Sequence, residues 1–158
     1  ICGKRVLDYL NMINEQNHQI SVKLSAKMDK TAQAVERLQE ENFRLKGQVG
    51  QLVDDMCRKE AERYAGSGSV LIFMDGMDAD SVRKLADAVT QTCQGCCAVF
   101  SRNADGSYKY AMGEKDGDLR RFTKKMNEKL NGRGGGKPFF VQGSVQASEK
   151  EIRNFFEQ

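Results

Sequence analysis

The sequence predicts an α+β chain, with a long N-terminal helical hairpin or coiled-coil arm followed by a small mixed α/β domain. Three observations predict it. Over the first 65 residues, which hold no proline, apolar residues recur at alternating spacings of four and three, the mark of one helix face. At Ala65-Gly66-Ser67-Gly68-Ser69 that period stops in residues that break regular structure. Beyond it, short apolar runs alternate with helical stripes in the order β-α-β-β-α-β-α, giving an arm at 1–65, a hinge at 66–69 and a domain at 70–158.

The arm carries two stripes. Val6, Leu10, Ile13, Asn17, Ile20 and Leu24 make the first. Leu24, Met28, Thr31, Val35, Leu38, Asn42, Leu45, Val49, Leu52 and Met56 make the second, one residue out of phase with the first. A skip of this kind marks a break or local unwinding. Ser25 and Asp29 are both suited to cap a helix, so two helices are expected, at about 4–24 and 28–64. They either fold back on each other or pair with a second chain. Asn42 inside the stripe is a residue that fixes register at some cost in stability. Gly47 and Gly50 each cost about 1 kcal/mol relative to alanine in a helix, so packing must hold this segment.

In the domain, Val70 to Met74 is a continuous apolar run and reads as a buried strand. Asp78 or Asp80 caps a helix whose inner face carries Val82, Leu85, Ala86 and Val89. Cys96 to Ser101 is a strand, Asn103-Ala104-Asp105-Gly106 a turn, and Tyr108 to Met112 the returning strand, with its tyrosines read as packing residues. A helix from about Asp118 to Leu130 buries Leu119, Phe122, Met126 and Leu130, leaving its cations outside. Phe139 to Val145 gives a last strand. Ser148 and Glu151 form a capping box for a final helix with Ile152, Phe155 and Phe156 turned inward.

With 39% hydrophobic and 30% charged residues, the chain fits a soluble protein, and no apolar run approaches the roughly 20 residues that cross a bilayer. No membrane partner is expected. No signal peptide opens the chain, and the lack of a starting Met suggests a fragment of something longer. Five cysteines cannot all pair with one another. They read as buried thiols, which favours a reducing, cytoplasmic setting. Cys93-Gln94-Gly95-Cys96 has zinc or redox spacing, but His18 is the single histidine and no second ligand pair exists, so neither a metal site nor a catalytic group is assigned.

The net charge of +3 is unevenly placed. Between residues 109 and 137 nine lysines and arginines face four acids, and this excess borders Gly132-Arg133-Gly134-Gly135-Gly136-Lys137-Pro138. Glycine permits positive φ and close approach of another molecule. Successive amides in such a turn can form a concave anion site, with Arg133 and Lys137 adding charge. The candidate binding residues are therefore Arg133, Gly134, Gly135, Gly136 and Lys137, extended by Arg120, Arg121, Lys124 and Lys125 on the preceding helix, with Gln142 as a further candidate donor. Solvated loop and charged helix face are the plain alternatives.

The glycine run, followed by Val141-Gln142-Gly143-Ser144, resembles the signature of the DHH-associated domain found at the C-terminus of alanyl-tRNA synthetases and free-standing alanyl-tRNA editing proteins. Lys137 stands for the usual arginine, Val141 for a small residue and Ser144 for a glycine. Ile1-Cys2-Gly3-Lys4-Arg5-Val6-Leu7-Asp8-Tyr9 is similar to the junction where the catalytic domain of the free-standing editing proteins passes into its helical arm. The resemblance implies a tRNA-binding and dimerisation region, with alanine-type tRNA as partner and a homodimer as assembly. It implies no catalysis by this fragment. The parent would be an aminoacyl-tRNA hydrolase removing mischarged serine or glycine, or an alanine-tRNA ligase, and zinc would sit in the absent editing domain. Two other readings stay open: the substrate-binding domain of a DHH-type phosphoesterase or single-strand exonuclease, and a purely structural dimerisation module.

Overall fold

A computed structural model describes residues 2–157; Ile1 of the junction motif and the Cys2 side chain lie outside the described residues. The elements are α1 (Cys2–Lys23), a 3-10 turn (Met28–Lys30), α2 (Thr31–Arg63), β1 (Val70–Asp75), α3 (Ala79–Thr92), β2 (Cys97–Arg102), β3 (Tyr108–Gly113), α4 (Arg120–Lys129), β4 (Arg133–Lys137), β5 (Phe140–Val145) and α5 (Glu149–Phe156). The chain divides into two compact units, one up to Gln51 and the other from Leu52.

In the first unit the phase skip is a true break, with Ser25 at φ 48°. Its fastening is Asn17, not a cap at Ser25 or Asp29. The Asn17 amide donates to the Met28 carbonyl at 3.3 Å, and the Thr31 hydroxyl donates to Asn17 Oδ1 at 2.9 Å. The polar interruption of the first stripe thus does structural duty at the corner. The stripes themselves stay uncovered: Leu10 is 55%, Leu38 54% and Leu45 46% exposed. The fold-back hairpin that the sequence left open would bury these leucines, and the described residues do not bury them.

The second unit is a five-stranded sheet in the order β1-β2-β3-β5-β4. β1 runs parallel to β2, and the other neighbours are antiparallel. Side chains alternate across the sheet. Val70, Ile72, Val99 and Ala111 meet α3 and the end of α2 on one face. Ala98, Phe100, Met112 and Val141 meet α4 and α5 on the other. The predicted inner face of α3 is realised, with Val82, Leu85, Ala86 and Val89 at 0–1% exposure. Burying each of its valines and its leucine contributes roughly 1.5–3 kcal/mol. Asp78 caps α3 by accepting from the Ser81 amide, and Ser148 with Glu151 forms the expected capping box on α5.

Residues 66–69 are tied to the last residue of α3 and the segment that follows it. The Gly66 amide donates to the Thr92 carbonyl at 3.0 Å and the Gln94 amide to the Ser67 carbonyl at 2.7 Å. Among the described residues no helix is long and apolar enough to cross a membrane.

Candidate nucleic-acid interface

The helix that carries the cations starts where a proline-containing turn delivers it. The Leu119 amide donates to the Pro138 carbonyl at 2.8 Å, and Leu119, Met126 and Leu130 are buried. That burial rotates Arg120, Arg121, Lys124 and Lys125 outward, and all four are exposed. Arg120 is partly engaged: Asp118 accepts from its Nε at 2.9 Å and from its Nη2 at 2.7 Å. Those charge-assisted bonds hold the Asp118 carboxyl at about 2. Arg121, Lys124 and Lys125 form no ion pair among the described residues. α4 stops at Asn131, which takes the left-handed φ of 49°.

The glycine run that follows corrects the sequence expectation. It is the strand β4, not a turn, and none of Gly132, Gly134, Gly135 or Gly136 has a positive φ. Its amides therefore alternate along an extended backbone and do not converge on one concave point. The glycines serve close approach. A Cβ on Gly134 would stand 2.7 Å from the Gly143 Cα, and one on Gly136 would stand 3.0 Å from the Val141 Cα. At Gly135 an added Cβ would meet nothing within 4 Å. One edge of β4 pairs with β5, and the other edge has no strand beside it among the described residues; all five residues are exposed.

Asn127 stitches α4 to this strand. Its amide donates to the Gly134 carbonyl at 3.2 Å, its side-chain oxygen accepts from the Tyr110 hydroxyl at 3.1 Å, and its main-chain carbonyl accepts from the Gly132 amide at 2.8 Å. Tyr108 and Tyr110 are themselves buried, as packing residues.

Register then distributes the expected binding residues over two faces. Arg133, Gly135 and Lys137 lie opposite Ser144, Gln142 and Phe140, and cross-strand partners share a face. Because Phe140 packs in the cluster around α3, these residues face α3. Gly134 and Gly136 lie opposite Gly143 and Val141 on the α4 face. A cleft of about 400 Å³ there is lined by Arg120, Lys124, Asn127 and the glycines. A second hollow of about 320 Å³ on the α3 face is lined by Lys137, Gln142 and Gly135 with Arg83, Asp87, Phe139 and Phe140. Arg121 and Lys125 lie one residue further around α4 and line neither. The structure thus joins Arg120 and Lys124 to the glycines, and sets Lys137 and Gln142 behind them.

Sequence reasoning missed Asn127, Arg83, Asp87 and Phe139. Nothing in sequence spacing brings α3 beside β4; the crossover of β5 between β3 and β4 does. Phe139, which the sequence pattern places in the last strand, lies half exposed in the turn after the glycine run. The thiols offer no chemistry here. Burial pushes Cys96 up to about 12, with Glu114 adding to it, and pushes Cys97 up as well. Among the described residues no three His, Cys, Asp or Glu side chains form a group able to hold a metal.

An edge strand of glycines thus lies beside a cationic helix on a five-stranded sheet. The family model of the DHHA1 domain matches residues 67–158, and the chain belongs to that family. It is similar to the alanine–tRNA ligase of Psychrobacter sp. (strain PRwf-1), 22% identical over 162 residues that cover 95% of this chain and 18% of the ligase. It is also similar to the alanine–tRNA ligase of Acholeplasma laidlawii (strain PG-8A), 29% identical over 79 residues, 50% of this chain and 9% of that protein. The chain therefore spans less than a fifth of the length of these curated relatives. Among solved structures it resembles the C-Ala domain of alanyl-tRNA synthetase from Aquifex aeolicus, with a TM-score of 0.50 at 18% identity, over 59% of this chain and 92% of that one. The fold is that of an alanyl-tRNA synthetase-like C-terminal region.

Proposed function

We propose that this chain is the tRNA-binding and dimerisation region of an alanyl-tRNA editing protein or an alanyl-tRNA synthetase-like protein, with alanine-type tRNA as its RNA and the cytoplasm as its setting. One observation carries the reading: β4 is a solvent-facing, side-chain-poor edge flanked by Arg120 and Lys124 of α4 and by its own Arg133 and Lys137. A phosphate backbone can approach main-chain amides there that bulky side chains would screen. Cations on both faces of the strand neutralise phosphates on either side of it. Such contacts position an RNA by shape and charge without reading its sequence. Hydrolysis of a mischarged tRNA, and the zinc it would use, belong to a domain outside this chain.

The uncovered leucines of α1 and α2 support dimerisation by the arm. Apolar side chains at 46–55% exposure along a stripe gain by meeting a second copy. Binding of full-length alanine tRNA, followed by fluorescence anisotropy, tests the RNA reading. Lys124→Glu with Lys125→Glu should weaken binding at least about tenfold, since each removes a phosphate contact and adds a repulsion. Unchanged affinity in that double variant would refute the placement of the RNA along α4.

A further inference from the structure

The hollow on the α3 face of β4 has a composition that phosphate binding does not explain. It holds a carboxylate, a guanidinium, an amide and an exposed aromatic ring around a bare stretch of strand. We infer that it is a guanine subsite, in which one unpaired guanine of an RNA stacks on Phe139 and is read by Asp87 and Arg83; this rests on the polyanion reading of β4 given above.

The floor is Gly135, where even a methyl group would meet nothing within 4 Å, so a flat ring can settle on the strand. Phe139 is 50% exposed, with the Lys137 ammonium 5.8 Å from its ring centre. An exposed aromatic ring beside a cation is a stacking platform for a base joined to a phosphate. Arg83 and Asp87 sit one turn apart on α3 and both line the hollow. Arg83 spends two of its donors, Nε at 3.3 Å and Nη2 at 2.8 Å, on Asp80 Oδ1. A guanidinium has five N–H groups, so three remain. Asp87 makes no hydrogen bond within the described residues. The Arg83 guanidinium is held above its ordinary value by the hydrogen bond and charge of Asp80, to which Asp87 adds only a smaller field.

Base chemistry selects among the four candidates. An ionised carboxylate only accepts, so it demands two adjacent donors. Guanine offers N1–H and the N2 amino group side by side. Its O6 and N7 are the acceptors that arginine favours. Adenine turns the N1 lone pair toward a carboxylate and is repelled, cytosine does the same through N3, and uracil offers a single N–H. Gln142, on the same face opposite Gly135, is placed to reach the ribose or the base edge. An RNA whose backbone crosses the edge of β4 would leave its phosphates with α4 and deliver one splayed base to the α3 face.

The test uses the 158-residue chain and heptamer RNAs of sequence U3-N-U3, with N each of the four bases, and alanine tRNA as a parallel arm. The guanine heptamer should bind roughly tenfold more tightly than the adenine one, the size of one bidentate base contact. Asp87→Asn should level the two, Phe139→Ala should weaken every heptamer, and Phe139→Tyr should restore binding. Asp87 and Phe139 lie at the surface, and circular dichroism of each variant confirms the fold. Equal affinity for all four bases, or preference that survives Asp87→Asn, overturns the subsite. If tRNA binds while every heptamer fails, the subsite falls and the polyanion reading stands. If heptamers bind with guanine preference while tRNA does not, the subsite stands and the tRNA reading falls.

Discussion

Exchanging single glycines of β4 for alanine separates the two faces of that strand, because the same methyl group meets backbone on one face and open space on the other. At Gly134 the new Cβ would lie 2.7 Å from the Gly143 Cα and closer still to the Gln142 carbonyl oxygen and the Tyr110 hydroxyl. Two of these three are main-chain atoms, so no rotamer change relieves the clash; β4 must move away from β5. Overpacking of this kind costs about 1–3 kcal/mol. A domain of about 100 residues loses about 4–8 °C of Tm per kcal/mol, so Gly134→Ala should lower the Tm by at least about 4 °C. At Gly135 the same methyl group meets nothing within 4 Å. There the loss of unfolded-chain freedom favours alanine by about 0.4–1 kcal/mol, so Gly135→Ala should leave the Tm equal or slightly raised. Differential scanning calorimetry of the two variants reads the contrast. Equal Tm values, or a stable Gly134→Ala protein, would refute the account of why the strand is built from glycine.

Other outcomes follow from the same geometry. If the arm dimerises as proposed, Leu38→Lys with Leu45→Lys should give a monomer in sedimentation equilibrium, because each half-exposed leucine forfeits roughly 1 kcal/mol of further burial and a lysine charge would be buried in its place; a dimer that persists would place the interface elsewhere. Asp118, Asp78 and Glu151 are each held below their ordinary values by hydrogen bonds, so their contribution to stability is present at neutral pH and lost as acid protonates them. Chemical denaturation should show stability falling from about pH 4.5 towards pH 2, and Asp118→Asn should flatten the most acidic part of that decline; an unchanged profile would contradict it. Thr123 is buried at 3% exposure, and its hydroxyl has no hydrogen-bond partner among the described residues. Thr123→Val removes that unmet polar group at constant shape, so thermal melting should show a gain of about 1 kcal/mol, whereas a loss would reveal an overlooked partner.

The sequence was a good guide where local chemistry decides. The α3 cap and the α5 capping box depend on residues within a few positions of each other, and both were readable; the break near Ser25 was readable from the phase skip, but its fastening by Asn17, 11 and 14 residues from its partners, was not. Buried stripes were equally clear, since apolar side chains repeat at the helical period. The glycine run misled because glycine admits turns and extended strands alike. What selects the strand is β5, whose own Gly143 lies opposite Gly134 and lets the two backbones close in. The site was half legible for a related reason. The cations of α4 and the glycines adjoin in sequence, whereas Arg83 and Asp87 reach β4 only through sheet order. The arm shows the opposite case: its stripe was plain, yet a single chain gives it no cover.

The salt dependence of alanine tRNA binding to the intact chain is the most direct test of a polyanion held along β4 and α4. If about four phosphates are neutralised, the logarithm of affinity should fall against the logarithm of salt with a slope of roughly −3, and Arg133→Gln with Lys137→Gln should make that slope shallower by about 1.5. An affinity indifferent to salt, or a slope untouched by removing those two cations, would contradict it.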